Sequence, residues 1–272
     1  MKRTTFNSLL AITAIGLSAS ASASTITNLD LITASPFGGF DWSQNGTAVS
    51  TPGPVYSDGD VITTYYFADA VAVNKEGGGV FSTPDLLTSA PGGVFGAASY
   101  EYTIFASITE VVSGCGGVCA GAATFTPTGG AWNVYYDHAL LSNTVANQIS
   151  GTGFTDGDFV IGGTILAGGG GTFNPTTGVG IFSFDGIVTS TNSTYISPDQ
   201  DSTFAIATLQ FGNSTTNWTA PTGTPLGGLP ASAISFQADG NQGISVIPEP
   251  GILALLGLGM FGLFVTTQKK RA

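Results

Sequence analysis

The sequence predicts an all-β protein: an antiparallel β-sandwich or jelly-roll-like single domain, flanked by an N-terminal signal helix and a C-terminal transmembrane helix. Three observations carry this. Between residues 24 and 246, short alternating or β-branched runs are bounded by Gly, Pro, Asn or Asp, and no amphipathic helical repeat exceeds about ten residues. The 272 residues include 40 Gly and 13 Pro, a composition of frequent turns, while 42% hydrophobic and 11% aromatic residues suffice for a core. The strands do not alternate with helices, so antiparallel pairing is expected, and a body of about 220 residues fits one all-β domain.

Residues 1–23 come first. Lys2 and Arg3 precede Leu9, Leu10, Ala11, Ile12, Ala14, Ile15 and Leu17, and Ser alternates with Ala through 18–24. A basic start, an apolar run too short to span a bilayer, and small residues at Ala21 and Ala23 make a secretory signal peptide. Signal peptidase is expected to cleave after Ala23.

The body, 24–246, reads as at least seven strands. In Ser99 to Thr109 the residues Tyr100, Tyr102, Ile104, Ala106 and Ile108 share one face. Glu101, Thr103, Ser107 and Thr109 share the other with Phe105, so this strand is expected to be half buried. Val61–Phe67, Ala131–Tyr136, Phe159–Leu166, Val179–Val188, Thr203–Phe211 and Ala233–Ala238 read similarly. Leu141, Val145 and Ile149 have the spacing of a helical turn or two, which Asn143, Thr144 and Asn147 weaken. Asp-Gly recurs at Asp58, Asp156, Asp185 and Asp239 without a common period, against a solenoid or propeller. Gly168–Gly171 reads as a flexible hairpin connection, since a phosphate cradle would need Gly-Lys-Ser/Thr and Lys75 is followed by Glu76.

Charge narrows the function. Sixteen of the 17 acidic residues lie in the body against Lys75 as its single base, leaving −15. Nucleic-acid binding and attraction to an anionic membrane surface both need several basic residues and are excluded. In an exported chain Cys115 and Cys119 are expected to form a disulfide, worth only about 2 kcal/mol for so small a loop. Zinc would need two further Cys or His ligands, and His138 is the sole histidine. No Gly-x-Ser-x-Gly elbow or His-Glu-x-x-His is present. Glu76, Glu101 and Glu110 are the body glutamates, and no local pattern marks a pair for glycoside hydrolysis. The sequence calls for no cofactor. Asp58 and Asp60, Asp156 and Asp158, and Asp199 and Asp201 are candidate calcium ligands, because hard oxygens two residues apart can converge on one cation. Solvated tight turns are the competing reading, and the one that Asp-Gly favours.

Residues 247–272 close the chain. Pro248-Glu249-Pro250 is followed by fifteen apolar residues, 251–265, and then by Lys269, Lys270 and Arg271. In this order of parts the sequence resembles the PEP-CTERM proteins of Gram-negative bacteria. The resemblance implies transient parking at the inner membrane and processing by an exosortase that recognises Pro248, Glu249 and Pro250. It also implies delivery to the cell-envelope surface or extracellular matrix, in the company of exopolysaccharide. The Tyr100–Ala106 and Trp132–Asp137 strings and the Pro198–Asp201 turn are similar in style to flocculation-associated members. The expected role is therefore non-catalytic, structural or adhesive, in biofilm or floc formation. Alternatives are a carbohydrate-binding module presenting Trp132 and Trp218, and a secreted polysaccharide-acting glycosidase.

Overall fold

The protein is represented by a computed structural model that describes residues 24–28, 30, 34, 36–53, 55–87, 99–119, 121–138, 152–174, 179–197, 205–212 and 233–246. The described residues contain thirteen strands and no helix: β1 (Thr25–Ile26), β2 (Phe37–Trp42), β3 (Thr47–Thr51), β4 (Val61–Lys75), β5 (Tyr100–Ser113), β6 (Ala123–His138), β7 (Asp158–Ile165), β8 (Gly170–Asn174), β9 (Val179–Thr191), β10 (Ile196–Ser197), β11 (Ala205–Gly212), β12 (Ile234–Gln237) and β13 (Asp239–Val246). Every strand-to-strand pairing is antiparallel. The signal helix, the C-terminal helix and the Leu141–Ile149 turn lie outside the described residues, and no described helix is long and apolar enough to cross a membrane.

Hydrogen bonding runs in a closed circuit: β4–β2–β13–β11–β9–β7–β6–β5 and back to β4. The length of β4 makes closure possible. On one edge its N-terminal half takes β3 and its C-terminal half takes β2, while the other edge takes β5. β8 bridges β6 and β9, β12 extends from β3, and β1 and β10 form a separate two-stranded pair. Closure leaves no free edge on the circuit, the usual way an antiparallel protein avoids edge-to-edge pairing.

All seven expected strands are present, several of them longer. β2 escapes the periodicity reading because a register irregularity between Phe37 and Gly39 puts the inward Phe37 and Phe40 three positions apart, and β13 because its inward positions are not all apolar. In β13 burial alternates strictly from Asp239 to Ser245, but two of the inward residues are Gly240 and Gln242. The Gly168–Gly171 run proves shorter as a connection than expected, because Gly170 opens β8, which pairs on both sides.

The core fills the inner face of the circuit. Tyr100, Tyr102, Ile104, Ala106 and Ile108 of β5 point inward with Trp132, Val134 and Tyr136 of β6 and with Phe37, Phe40 and Trp42 of β2, all buried. Aromatic rings dominate: Tyr102 lies 4.8 Å from Phe40 and 5.1 Å from Tyr136 between ring centroids. The outer face of β5 is more covered than the half-buried expectation. Thr103 Oγ1 donates to Phe154 O at 3.1 Å, and Phe154 packs on Phe67 at 4.9 Å. The segment entering β7 thus lies over Thr103 at this end of the sheet, where Glu101 is buried as well.

Candidate functional site

Four groups of chemically capable side chains were legible in the sequence, and the structure treats them differently. Cys115 and Cys119 form the expected disulfide in the β5–β6 turn. Asp58, in the β3–β4 connection, accepts the Cys115 and Gly116 backbone N–H groups at 2.8 Å each. These bonds, that from Cys115 foremost, hold its carboxyl below the usual carboxylate range. Asp60 Oδ2 accepts the Ser57 N–H at 2.7 Å. The connection is further zipped to the turn by Cys119 N–H to Tyr56 O at 2.7 Å and Asp58 N–H to Gly117 O at 3.0 Å. Asp58, Cys115 and Cys119 place metal-type donor atoms within 4.8 Å of one another. The sulfurs are bonded to each other, and the carboxylate serves backbone donors, so this cluster acts as a turn clamp.

The glutamates separate. Alternation along β5 sends Glu110 to the inner face and Glu101 to the outer, nine positions apart, or about 30 Å along an extended strand. That is several times the separation at which two carboxylates share a glycosidic bond. Glu76 is exposed just beyond the end of β4. Glu110 is buried; Thr64 Oγ1 donates to its Oε2 at 2.6 Å, and its Oε1 has no partner. Burial pushes its carboxyl up to about 7, opposed by the Thr64 hydrogen bond. It borders an interior cavity of about 20 Å³ lined by Ile108, Phe182, Phe184 and Phe236, with room for a single water.

On the outer face, register brings together residues that no local pattern links. Glu101 of β5 sits directly opposite Asp137 of β6, and both are buried. Asp137 Oδ1 accepts the His138 N–H at 2.9 Å, while its Oδ2 is buried and without a partner. Above Asp137 runs Asp156-Gly157-Asp158. A Cβ on Gly157 would lie 2.6 Å from Tyr136 O and 3.2 Å from Asp137 Cβ, so only glycine allows this approach. Desolvation first, then the Asp156 carboxylate and more weakly that of Asp158, raise the Asp137 carboxyl to about 6 against the opposing His138 N–H. Asp158 has a hydrogen-bond partner of its own. Its Oδ2 accepts the Tyr195 hydroxyl at 2.6 Å, and Tyr195 packs on the inward-facing Tyr136. Asp199 and Asp201 lie outside the described residues. Asp137 was missed in the sequence because its partner is 36 positions away and only strand register reveals it.

The aromatic reading needs correcting. Trp132 is fully buried in the core and cannot stack on a sugar, while Trp218 lies outside the described residues. His138 is half buried, its ring 5.4 Å from that of Tyr136. Among the described residues, Tyr65 with Phe105, stacked at 6.3 Å, and Tyr135 with Phe159 at 6.4 Å are partly exposed rings on the outer face, and Phe81 and Phe182 are partly exposed elsewhere.

Ala21, Ala23, Pro248, Glu249, Pro250, Lys269, Lys270 and Arg271 lie outside the described residues. The last strand of the body, β13, ends at Val246. The PEP-CTERM protein-sorting motif matches residues 246–270, beginning at that residue. The chain therefore carries the signal of an exported protein sorted to the cell envelope by an exosortase. No curated protein and no solved structure matches the chain.

Proposed function

We propose that this exosortase-sorted chain is a non-catalytic structural or adhesive component of the exopolysaccharide matrix, acting in biofilm or floc cohesion outside a Gram-negative cell. The observation that carries the reading is the sorting motif at residues 246–270, joined directly to the end of β13. Residues 1–23 are removed by signal peptidase, the 24–246 body folds after export, and the tail is released at the Pro248–Pro250 triplet. A body of −15 cannot bind an anionic glycan through ion pairs. Contact would run through divalent bridges or through the partly exposed rings of the outer face. Those rings also favour a second reading, a carbohydrate-binding module whose platform is Tyr65, Phe105, Tyr135 and Phe159 instead of Trp132.

The test is a deletion strain, with the gene restored in trans, scored for total exopolysaccharide and for settling. The proposal expects weaker aggregation at unchanged polysaccharide yield. Unchanged aggregation with altered polysaccharide length or yield would sink it and favour a polysaccharide-acting enzyme.

A further inference from the structure

The turn that carries the disulfide assembles more than the bridge. Cys115 Sγ, Cys119 Sγ and a carboxylate oxygen of Asp58 lie within 4.8 Å of one another. Spacing in the sequence offers two sulfurs and no third ligand. Pairing of the β3–β4 connection with the β5–β6 turn supplies one, through Asp58 N–H to Gly117 O at 3.0 Å and Cys119 N–H to Tyr56 O at 2.7 Å. The carboxylate is oriented as well as placed. Cys115 N–H donates to its Oδ1 and Gly116 N–H to its Oδ2, at 2.8 Å each. A carboxylate has about four lone-pair positions, so both oxygens keep acceptor capacity. Backbone donors of this kind fix the direction in which a metal-binding carboxylate points. The approach is open: Asp58 is exposed, Cys115 is half buried, and no atom lies within 4 Å of where a Cβ on Gly116 or Gly117 would stand.

We infer that, when its disulfide is reduced, this turn is a binding site for one zinc ion, held by Cys115, Cys119 and Asp58 with water in the fourth position. Two thiolates and a carboxylate are donors that zinc accepts in tetrahedral geometry, and three protein ligands leave the fourth place open. The bridge and the metal compete for the same sulfurs, so the site is gated by redox state. Both thiols exist in a newly exported chain before the bridge forms. A dithiol reductant restores them: it gives two electrons and two protons, the S–S bond breaks, and the reductant leaves as its own disulfide. Zinc then displaces one proton from each thiol. In the oxidised chain the same three groups act as the clamp described above. The inference does not depend on the matrix role. Metal binding is read on the purified protein and aggregation on cells, so either can fail alone.

The test uses the full-length chain in mild detergent, reduced by a phosphine, with millimolar magnesium present to occupy weak carboxylate sites. Cobalt(II) is the probe, because its absorption bands report sulfur ligation and tetrahedral geometry. One cobalt per reduced chain is expected, displaced by zinc, and none on the disulfide form. X-ray absorption of the zinc-loaded chain should show two sulfurs at about 2.3 Å and two oxygens at about 2.0 Å. Cys115→Ser should abolish binding, Asp58→Asn should weaken it at least about tenfold, and His138→Gln should leave it intact. Should Asp58→Asn fail to fold, Asp58→Cys must raise the number of sulfurs around the ion from two to three. No binding by the reduced chain, equal binding by the disulfide form, or unchanged affinity in Asp58→Asn would each overturn the assignment. So would loss of binding with His138→Gln, or four sulfurs around one ion, which would mean two chains sharing it.

Discussion

Glu110→Gln should stabilise this protein at alkaline pH and leave it nearly unchanged in acid. In the folded state burial raises the Glu110 carboxyl from its ordinary 4.5 to about 7. An acid that holds its proton more tightly when folded stabilises the fold below about pH 4.5, and that contribution falls away as pH rises through 7. The interval is about 2.5 pH units, which at 1.36 kcal/mol each sets an upper figure of about 3 kcal/mol. Glutamine keeps the acceptor for the Thr64 hydroxyl, and its amide nitrogen replaces Oε1 beside a cavity of about 20 Å³, where one water can satisfy it. The net gain at pH 8 is therefore about 1–3 kcal/mol, or about 3–10 °C in melting temperature for a domain of this size. Urea and thermal unfolding of both chains, in calcium-free buffer from pH 4 to pH 8, measure it. Asp137, raised to about 6, contributes a slope of the same sign, so Glu110→Gln flattens the profile only in part. A variant less stable than the parent at pH 8, or an unchanged slope between pH 4.5 and 7, would refute the reasoning.

Replacing Cys115 and Cys119 together by serine should lower stability by no more than about 2 kcal/mol, since the closed loop is short and the Asp58 clamp keeps its backbone donors. Melting with and without reductant checks this, and a loss above about 5 kcal/mol would show that the bridge holds the domain. Changing Pro248, Glu249 and Pro250 to alanine should retain the 251–272 tail on protein recovered from cells; intact mass spectrometry of parent and variant decides, with tail loss in both as the contrary result.

Most strands were legible from residue order, because a strand with one face in the core writes its burial as a period of two. Tyr100, Tyr102, Ile104, Ala106 and Ile108 are the clearest case, and every one is buried. The disulfide followed from two cysteines in an exported chain, and the sorting motif from a linear order of residue types at the C-terminal end. The same periodicity failed at β13, where Gln242 takes an inward position, and at Glu110, whose inward direction was written in β5 but whose burial depended on neighbouring strands.

Pairing is the part that residue order does not carry. Closure of the circuit depends on β4 taking β3, β2 and β5 at once, and the facing of Glu101 and Asp137 depends on the β5–β6 register. The burial of Trp132 likewise follows from which face of β6 the closed sheet turns inward. The sequence alone determined an exported, acidic, all-β chain with a C-terminal sorting signal, since composition, spacing and short motifs are properties of the unfolded string. Only the tertiary structure decided which carboxylates meet and which aromatics remain at the surface, because register and coverage come from contacts between segments far apart in the chain.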